Sequence, residues 1–466
     1  MRAHTSPRFP RPVLLVGLVC ILLLGLRPAA AADDPLAGQQ WNLTQIHAPT
    51  AWSVSTGGGV LVGIVDSGVS RNHEDLSGQI SDSVSCIGTN GAASGCKAGG
   101  EDIDGHGTHV SGIVAAIAGN GRGVAGVAPT ARIAMARVFS PGSGQDTAPT
   151  ADLNDVRAAI RYLAGTLHAK VINLSIGADR QGFQPCGLLQ SCEPPLKAAV
   201  EEAWTLGALP VIASGNSQLY GTQGYGNLDA IVVGATAPGD VVASYSTAIG
   251  NAKWGMVAPG GEVPANEANP TEVEKARMVL STYGGPGCDP PSNASCYAYL
   301  SGTSMAAPHV SAVAAMLFAR GLSRQAVVDT LLSSTDPVAG CSASRCGAGR
   351  LNAAEALGAI DSTTPGTTGS NPTTTGKKGS DGKPSSTTTG RAATTTSTST
   401  FGFGNNAGNQ SPSTTSRTRA AIVLNQQPAA TNNAVPMGVG LVGVVCLAGA
   451  ALALSYSLRR TLTTLP

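Results

Sequence analysis

Apolar residues in this chain gather into short, mostly unbroken runs. Val60 to Val65, Ala131 to Val138, Val171 to Ser175, Leu209 to Ala213, Ile231 to Ala235 and Trp254 to Ala258 lack a regular apolar/polar alternation and are bounded by glycine and turn residues. Such runs predict strands covered on both faces, as in a parallel sheet. Between them, His106 to Ile117, Ala151 to Leu167 and Pro195 to Leu206 read as helices. Met305 to Phe318 is apolar on every side and therefore reads as a buried helix. Gly321 to Leu332 and Asn352 to Ala359 follow as C-terminal helices, and the stretch from Gln39 to Trp52 is amphipathic. Strand alternating with helix predicts an α/β fold built on a doubly wound, mostly parallel sheet.

Both ends of the chain depart from this rhythm. Arg2, Arg8 and Arg11 precede the apolar run Val13 to Leu26, and Ala30 to Ala32 form a small-residue cleavage signal. Residues 1–32 are thus expected to be a secretory signal peptide, with the globular domain over 33–360. Residues 361–434 change abruptly to Thr, Ser, Gly, Pro and Asn. Such a stretch cannot bury a core and predicts a disordered linker, spanning roughly 45 to 50 Å as a flexible coil. Within 435–458, Met437 to Leu458 carries no charge and is long enough for one transmembrane helix. Arg459 and Arg460 mark residues 459–466 as a cytoplasmic tail, which places the globular part outside the cell membrane on a tether. A formal net charge of +1 gives no electrostatic case for a nucleic-acid partner.

Of the ten cysteines, Cys20 and Cys446 lie in the terminal apolar runs. The other eight fall as neighbours: Cys86 with Cys96, Cys186 with Cys192, Cys288 with Cys296, and Cys341 with Cys346. Pairing neighbours is the simplest disulfide connectivity for an exported domain. A metal site is the competing reading, but no pair has a histidine or CxxC partner at zinc spacing.

Candidate chemistry collects where strands end. Asp66 closes the first apolar run; His106 opens a helix between Gly105 and Gly107, with His109 three residues on; Asn216 follows Ser214 and Gly215; Ser304 starts the buried helix. Each has an ordinary structural use alone, as a helix cap, a packed ring or a turn residue. A serine at a helix N-terminus also faces unpaired N–H groups and the positive end of the dipole, which suits a nucleophile. Ser175, Ile176 and Gly177, at another strand end, could pair with an extended peptide, with Ser214 and Gly215 beside them.

The local sequences VDSGV around Asp66, HGTHVSG around His106, NLSIG at Asn173 to Gly177, ASGN ending at Asn216 and GTSMAAPHV around Ser304 resemble the subtilisin-like serine peptidases (peptidase S8) over about Gln40 to Gly358. The resemblance implies Ser304 as nucleophile, His106 as base and then acid, and Asp66 as its orienting carboxylate. It implies an oxyanion hole of Asn216 with the Ser304 N–H, substrate pairing along Ser175 to Gly177, and protein or peptide substrates. Hydrogen bonds from Ser304 to His106 and from His106 to Asp66 are then expected. No cofactor is required. Many relatives bind structural calcium, and Asp75 and Asn120 match common ligand positions, although Arg122 places a cation beside them. Secreted relatives usually carry a long folding pro-region, whereas about eight residues separate Ala32 from Trp41. The layout of signal, protease, linker and C-terminal helix resembles the mycosins, membrane-anchored subtilisin-like proteases of type VII secretion systems. That likeness implies a secretion-machinery partner, and its alternative reading is a component whose structural role outweighs its proteolysis.

Overall fold

The computed structural model describes residues 34–141, 149–176, 197–216 and 225–359 except 268, 287 and 289–294, together with a short strand at 422–425. Expectations for the signal peptide, Gly177, the Cys186 and Cys192 pair, the transmembrane run and the tail concern residues outside these, and so does that for the linker except at Ile422–Asn425, where the apolar IVL run forms a strand. No helix among the described residues is long and apolar enough to cross a membrane.

Seven parallel strands form the centre of the sheet: β1 (Leu61–Asp66), β2 (Ile80–Ser85), β3 (Arg132–Arg137), β4 (Val171–Leu174), β5 (Leu209–Ala213), β6 (Ile231–Ala237) and β7 (Trp254–Pro259). Their spatial order is β2-β3-β1-β4-β5-β6-β7, with two-residue strands added at both edges and on β6. The mostly parallel sheet follows the pattern of apolar runs. β2 was not expected, because ISDSVS alternates small polar residues near the sheet edge and is bordered by β3 on one side only over most of its length.

Alternate residues of each strand separate onto two apolar layers, as the pleat requires. Val62 and Ile64 of β1, Val211 of β5 and Val233 of β6 join one core, while Val65, Ile212 and Val232 join the other. The first layer holds helices α1 (His106–Ala115) and α4 (Thr303–Ala319); the second holds α2 (Leu153–Ile160) and α3 (Lys197–Thr205). Every residue of α4 from Thr303 to Leu317 is buried, as its uniform apolarity requires. α2 is shorter than expected, since a π-helical segment, Arg161–Thr166, continues it. Helices α5 (Arg324–Ser333) and α6 (Ala353–Leu357) close the domain, and a hairpin of β8 (Val279–Thr282) and β9 (Cys296–Leu300) packs on α1. Neighbouring cysteines pair at Cys86–Cys96, Cys288–Cys296 and Cys341–Cys346.

Chain order and spatial order disagree at β1. β3 lies on one side of it and β4 on the other, so the loops leaving β1 and β4 part company there. Open α/β sheets bind ligands at such a switch point, beyond the carboxyl ends of the strands. Asp66, Ser175 and Ser214 to Asn216 all sit at that rim, at or just beyond the ends of β1, β4 and β5.

His309 of α4 is buried with both ring nitrogens used: Nδ1 donates to the Met305 carbonyl at 2.8 Å, and Nε2 accepts from the Asn42 amide at 2.8 Å. A proton on Nε2 would face a donor, and burial lowers the pKa to about 4. The unfolded chain binds that proton below about pH 6.5 and the folded chain refuses it, so the ring's contribution is complete above that pH and lost as pH falls toward 4. In urea titrations, the stability advantage of the wild type over His309→Gln should shrink by about 3 kcal/mol between pH 7 and pH 4. A pH-independent difference would contradict this.

Candidate active site

Asp66 and His106 are brought together by a strand end and a helix start. β1 carries Asp66 to the rim, and Gly105 (φ 97°) turns the chain into α1 so that His106 begins its first turn. Glycine is needed here on space as well as on conformation, because a Cβ at 105 would fall 2.2 Å from the Tyr283 ring. A Cβ at 107 would fall 2.1 Å from the Gly68 carbonyl. The HGTH run is therefore the close approach of α1 to the loop after β1, written in sequence.

His106 Nδ1 donates to Asp66 Oδ1 at 2.7 Å, and the Ser67 N–H donates to the same oxygen at 2.7 Å. Asp66 is fully buried. The carboxylate therefore fixes the proton on Nδ1 and leaves Nε2 as the basic nitrogen. His106 Nε2 is buried without any hydrogen-bond partner, and so is Asp66 Oδ2. A buried acceptor kept bare is uncommon and calls for an explanation in function.

Ser304 is the second residue of α4, so its N–H is among those the helix leaves unpaired. Its hydroxyl does not meet His106. It donates to the Ser175 carbonyl at 3.1 Å, and the Ser175 hydroxyl donates back to the Ser304 carbonyl at 2.7 Å. The expected Ser304–His106 hydrogen bond is thus replaced, because one hydroxyl has one proton and the Ser175 carbonyl takes it.

Asn216 is fixed by the residue before Ser304. Its Oδ1 accepts from the Thr303 N–H at 2.9 Å and from the Thr303 hydroxyl at 2.8 Å, which leaves Nδ2 as the available donor. Thr303 Oγ1 also accepts the Gly215 N–H at 3.1 Å, and Ser214 Oγ donates to the Thr247 carbonyl at 2.9 Å. Ile176 is buried beyond β4. His109 turns away from the rim into the β8–β9 hairpin, where Nε2 donates to the carbonyls of Ala298 and Val279. Burial lowers its pKa to about 3, and the neighbouring His106 adds to the effect.

Sequence reasoning missed Asp102. Its carboxylate accepts from Ser67 Oγ (2.8 Å), Asp104 N (3.1 Å), Gly105 N (2.8 Å), Thr108 N (2.8 Å) and Thr108 Oγ1 (2.5 Å). Ser67 Oγ in turn accepts the Gly107 N–H at 2.9 Å. Asp102 thereby caps α1 and ties it to the residue after Asp66, and burial raises its pKa against those donors. Its position four residues before His106 was the available signal.

Around Asp75 and Asn120, the positions expected as calcium ligands, donors face the carboxylate. Asp75 accepts from the Asn120 amide, the Val124 N–H and the Tyr297 hydroxyl, at 2.8, 2.8 and 2.9 Å. Asn120 presents its NH₂ to Asp75 and spends its oxygen on the Arg122 N–H at 2.8 Å. Asp34 accepts the N–H groups of Gly119 and Gly121 at 2.8 and 3.0 Å, so this loop turns donors inward around a carboxylate. Calcium needs six to eight oxygens. Burial raises both carboxyls, Asp75 to about 6. No group of three or more His, Cys, Asp or Glu side chains among the described residues could hold a metal.

The profile of the subtilase family (peptidase S8) matches residues 57–404. The chain belongs to the subtilase family. As a member it is a subtilisin-like serine endopeptidase, a hydrolase. It is 33% identical over 334 residues to thermitase of Thermoactinomyces vulgaris, covering 70% of this chain and 98% of that protein. It is 31% identical to a thermophilic serine proteinase of Bacillus sp. (strain AK1), covering 66% of this chain but only 64% of that longer protein. Among solved structures it resembles a protease from Pseudoalteromonas arctica, with TM-score 0.54, 27% identity, and 70% and 98% of the two chains covered.

Asp102→Ala leaves several donors without an acceptor, and urea unfolding should show a loss of about 3 kcal/mol. Asp102→Asn, which keeps one oxygen, should lose clearly less. Equal losses in the two variants would refute the capping account.

Proposed function

We propose that Asp66, His106 and Ser304 form the catalytic triad of an outward-facing, membrane-tethered endopeptidase. The observation that carries the reading is the 2.7 Å Asp66–His106 hydrogen bond together with a buried, unpartnered Nε2. His106 and Ser304 stand in the first turns of α1 and α4, two helices packed on each other. Asp66 would hold the imidazole in the tautomer whose Nε2 accepts a proton and would stabilise the imidazolium.

The remaining step concerns the Ser304 proton. An extended peptide laid along Ser175 to Gly177 would use the Ser175 carbonyl as a strand partner, and the Ser304 hydroxyl would then be released toward His106. Hydrogen bonds of a catalytic base are often long or absent in an empty site and form with substrate. Ser304 Oγ would then attack the peptide carbonyl carbon while its proton passes to Nε2. The oxyanion would sit between Asn216 Nδ2 and the Ser304 N–H, and His106 would return the proton to the leaving amine. Water would repeat the sequence on the acyl-enzyme. Ser214 and Gly215, behind Asn216, would border the same cleft.

Location is proposed from the sequence: the charged and apolar segments of 1–32, the linker 361–434 and the uncharged run 437–458 support an exported domain held at the cell membrane. A secretion-machinery partner rests on the mycosin-like layout alone. The loop around Asn120 is proposed to need no calcium, its inward donors being matched by Asp34 and Asp75.

With peptide substrate, Ser304→Ala or His106→Ala should lower kcat by about 10⁶, Asp66→Asn by about 10⁴ and Asn216→Leu by roughly 10² to 10³, factors taken over from related enzymes. Retained activity in Ser304→Ala would overturn the assignment. Chelation with EDTA should leave the Tm unchanged; a marked drop would instead restore the metal reading.

A further inference from the structure

Pro308 lies inside α4, four residues after Ser304. An α-helix normally pairs the N–H of residue i with the carbonyl of residue i−4, and proline has no N–H. The carbonyl deprived of its helical partner is therefore that of Ser304 itself. A buried carbonyl left unpaired is costly, and the Ser175 hydroxyl fills the vacancy at 2.7 Å.

The Ser175 hydroxyl is in turn aimed by two buried residues that the mechanism above does not use. Asn173 Nδ2 donates to Ser175 Oγ at 2.9 Å, and Ser311 Oγ donates to Asn173 Oδ1 at 2.8 Å. Asn173 and Ser311 are fully inaccessible to solvent. In the sheet, Asn173 stands in register with Ile64 of β1 and Val211 of β5, both apolar members of the core beneath α4. An amide in that row is an exception to the apolar pattern, and both of its ends are taken. Because Asn173 donates to Ser175 Oγ, the single proton of that hydroxyl remains free to point at Ser304.

We infer that Asn173, held by Ser311, is a positioning residue for the nucleophile. The chain Ser311–Asn173–Ser175–Ser304 spans from the second turn past the nucleophile, across β4, and back to the nucleophile's own carbonyl. It sets the first turn of α4 against the end of β4, and so sets the attacking hydroxyl against the edge along which the peptide lies. Asn173 touches neither substrate nor any reacting atom. Its effect passes through Ser175, and the inference rests on the proposed role of Ser304.

The test uses the full-length chain and three variants. Asn173→Val gives β4 the apolar residue that β1 and β5 carry in the same row, and Ser311→Ala removes the donor that orients the amide. For a reacting group displaced by a fraction of an ångström to an ångström, kcat should fall about 10-fold to 10²-fold with KM nearly unchanged. The rate of covalent labelling by a fluorophosphonate should fall by the same factor when normalised to folded protein, and Asn173→Ser should recover part of it. If Asn173→Val does not fold, Ser311→Ala carries the comparison. Variants that label and turn over at the wild-type rate per folded molecule would overturn the inference. A wild type that the fluorophosphonate does not label would instead remove the reading of Ser304 on which it stands.

Discussion

A helix that is apolar on every side must be surrounded, and α4 meets this constraint by lying under the centre of the sheet. It packs against β1, β4, β5, β6 and β7 and against α1 and α5. Ten of its residues join the apolar core of its layer, more than any other element contributes. Its direction is then no longer free. The N-terminus emerges beside the carboxyl ends of β4 and β5, where Ser175 and Asn216 reach it. The helix dipole and its unpaired N–H groups are thereby delivered to the rim where the sheet changes direction.

Around that terminus, polar atoms are ordered by scarcity of partners. Thr303 uses its N–H and its hydroxyl on Asn216, Ser304 exchanges hydrogen bonds with Ser175, and Asp102 gathers the first N–H groups of α1. Against this thorough pairing, His106 Nε2 and Asp66 Oδ2 are exceptions. In the proposed mechanism, Nε2 is the atom to which the proton would move. The hydrogen bonds around it would hold the reacting groups in place.

Much of this was legible in the sequence because it rests on periodicity and glycine. The strands β1 and β3 to β7 follow from apolar runs, α4 from uniform apolarity, and the approach of α1 to β1 from Gly105 and Gly107. Three neighbouring cysteine pairs followed from spacing. What could not be read is the assignment of individual hydrogen bonds. Asp102 is an unremarkable carboxylate in EDIDGHG until the fold places five donors around it. Asp75 and Asn120 are oxygen-bearing side chains in sequence, but Asn120 turns its amide nitrogen inward and a backbone N–H and the Tyr297 hydroxyl complete the set. Composition specifies which atoms are available; only tertiary contact decides which way they point.

The same distinction bears on Ser304. In the proposed mechanism two acceptors would compete for its proton, the carbonyl at the end of β4 and the His106 Nε2. The Ser175 carbonyl has it, since that carbonyl lies just beyond the last paired residue of β4 and gains a hydrogen bond at little conformational expense. An incoming strand would supply that carbonyl with an amide N–H, and the hydroxyl's remaining acceptor would then be the Nε2 left unprotonated by the Asp66 hydrogen bond to Nδ1. Substrate pairing and nucleophile activation would thus draw on one atom, the Ser175 oxygen. A peptide unable to donate an N–H at that point, through proline or N-methylation, would lose not only a strand contact but the release of the hydroxyl. Its deficit should therefore lie in kcat as well as in KM, which a loss of ground-state binding alone does not produce.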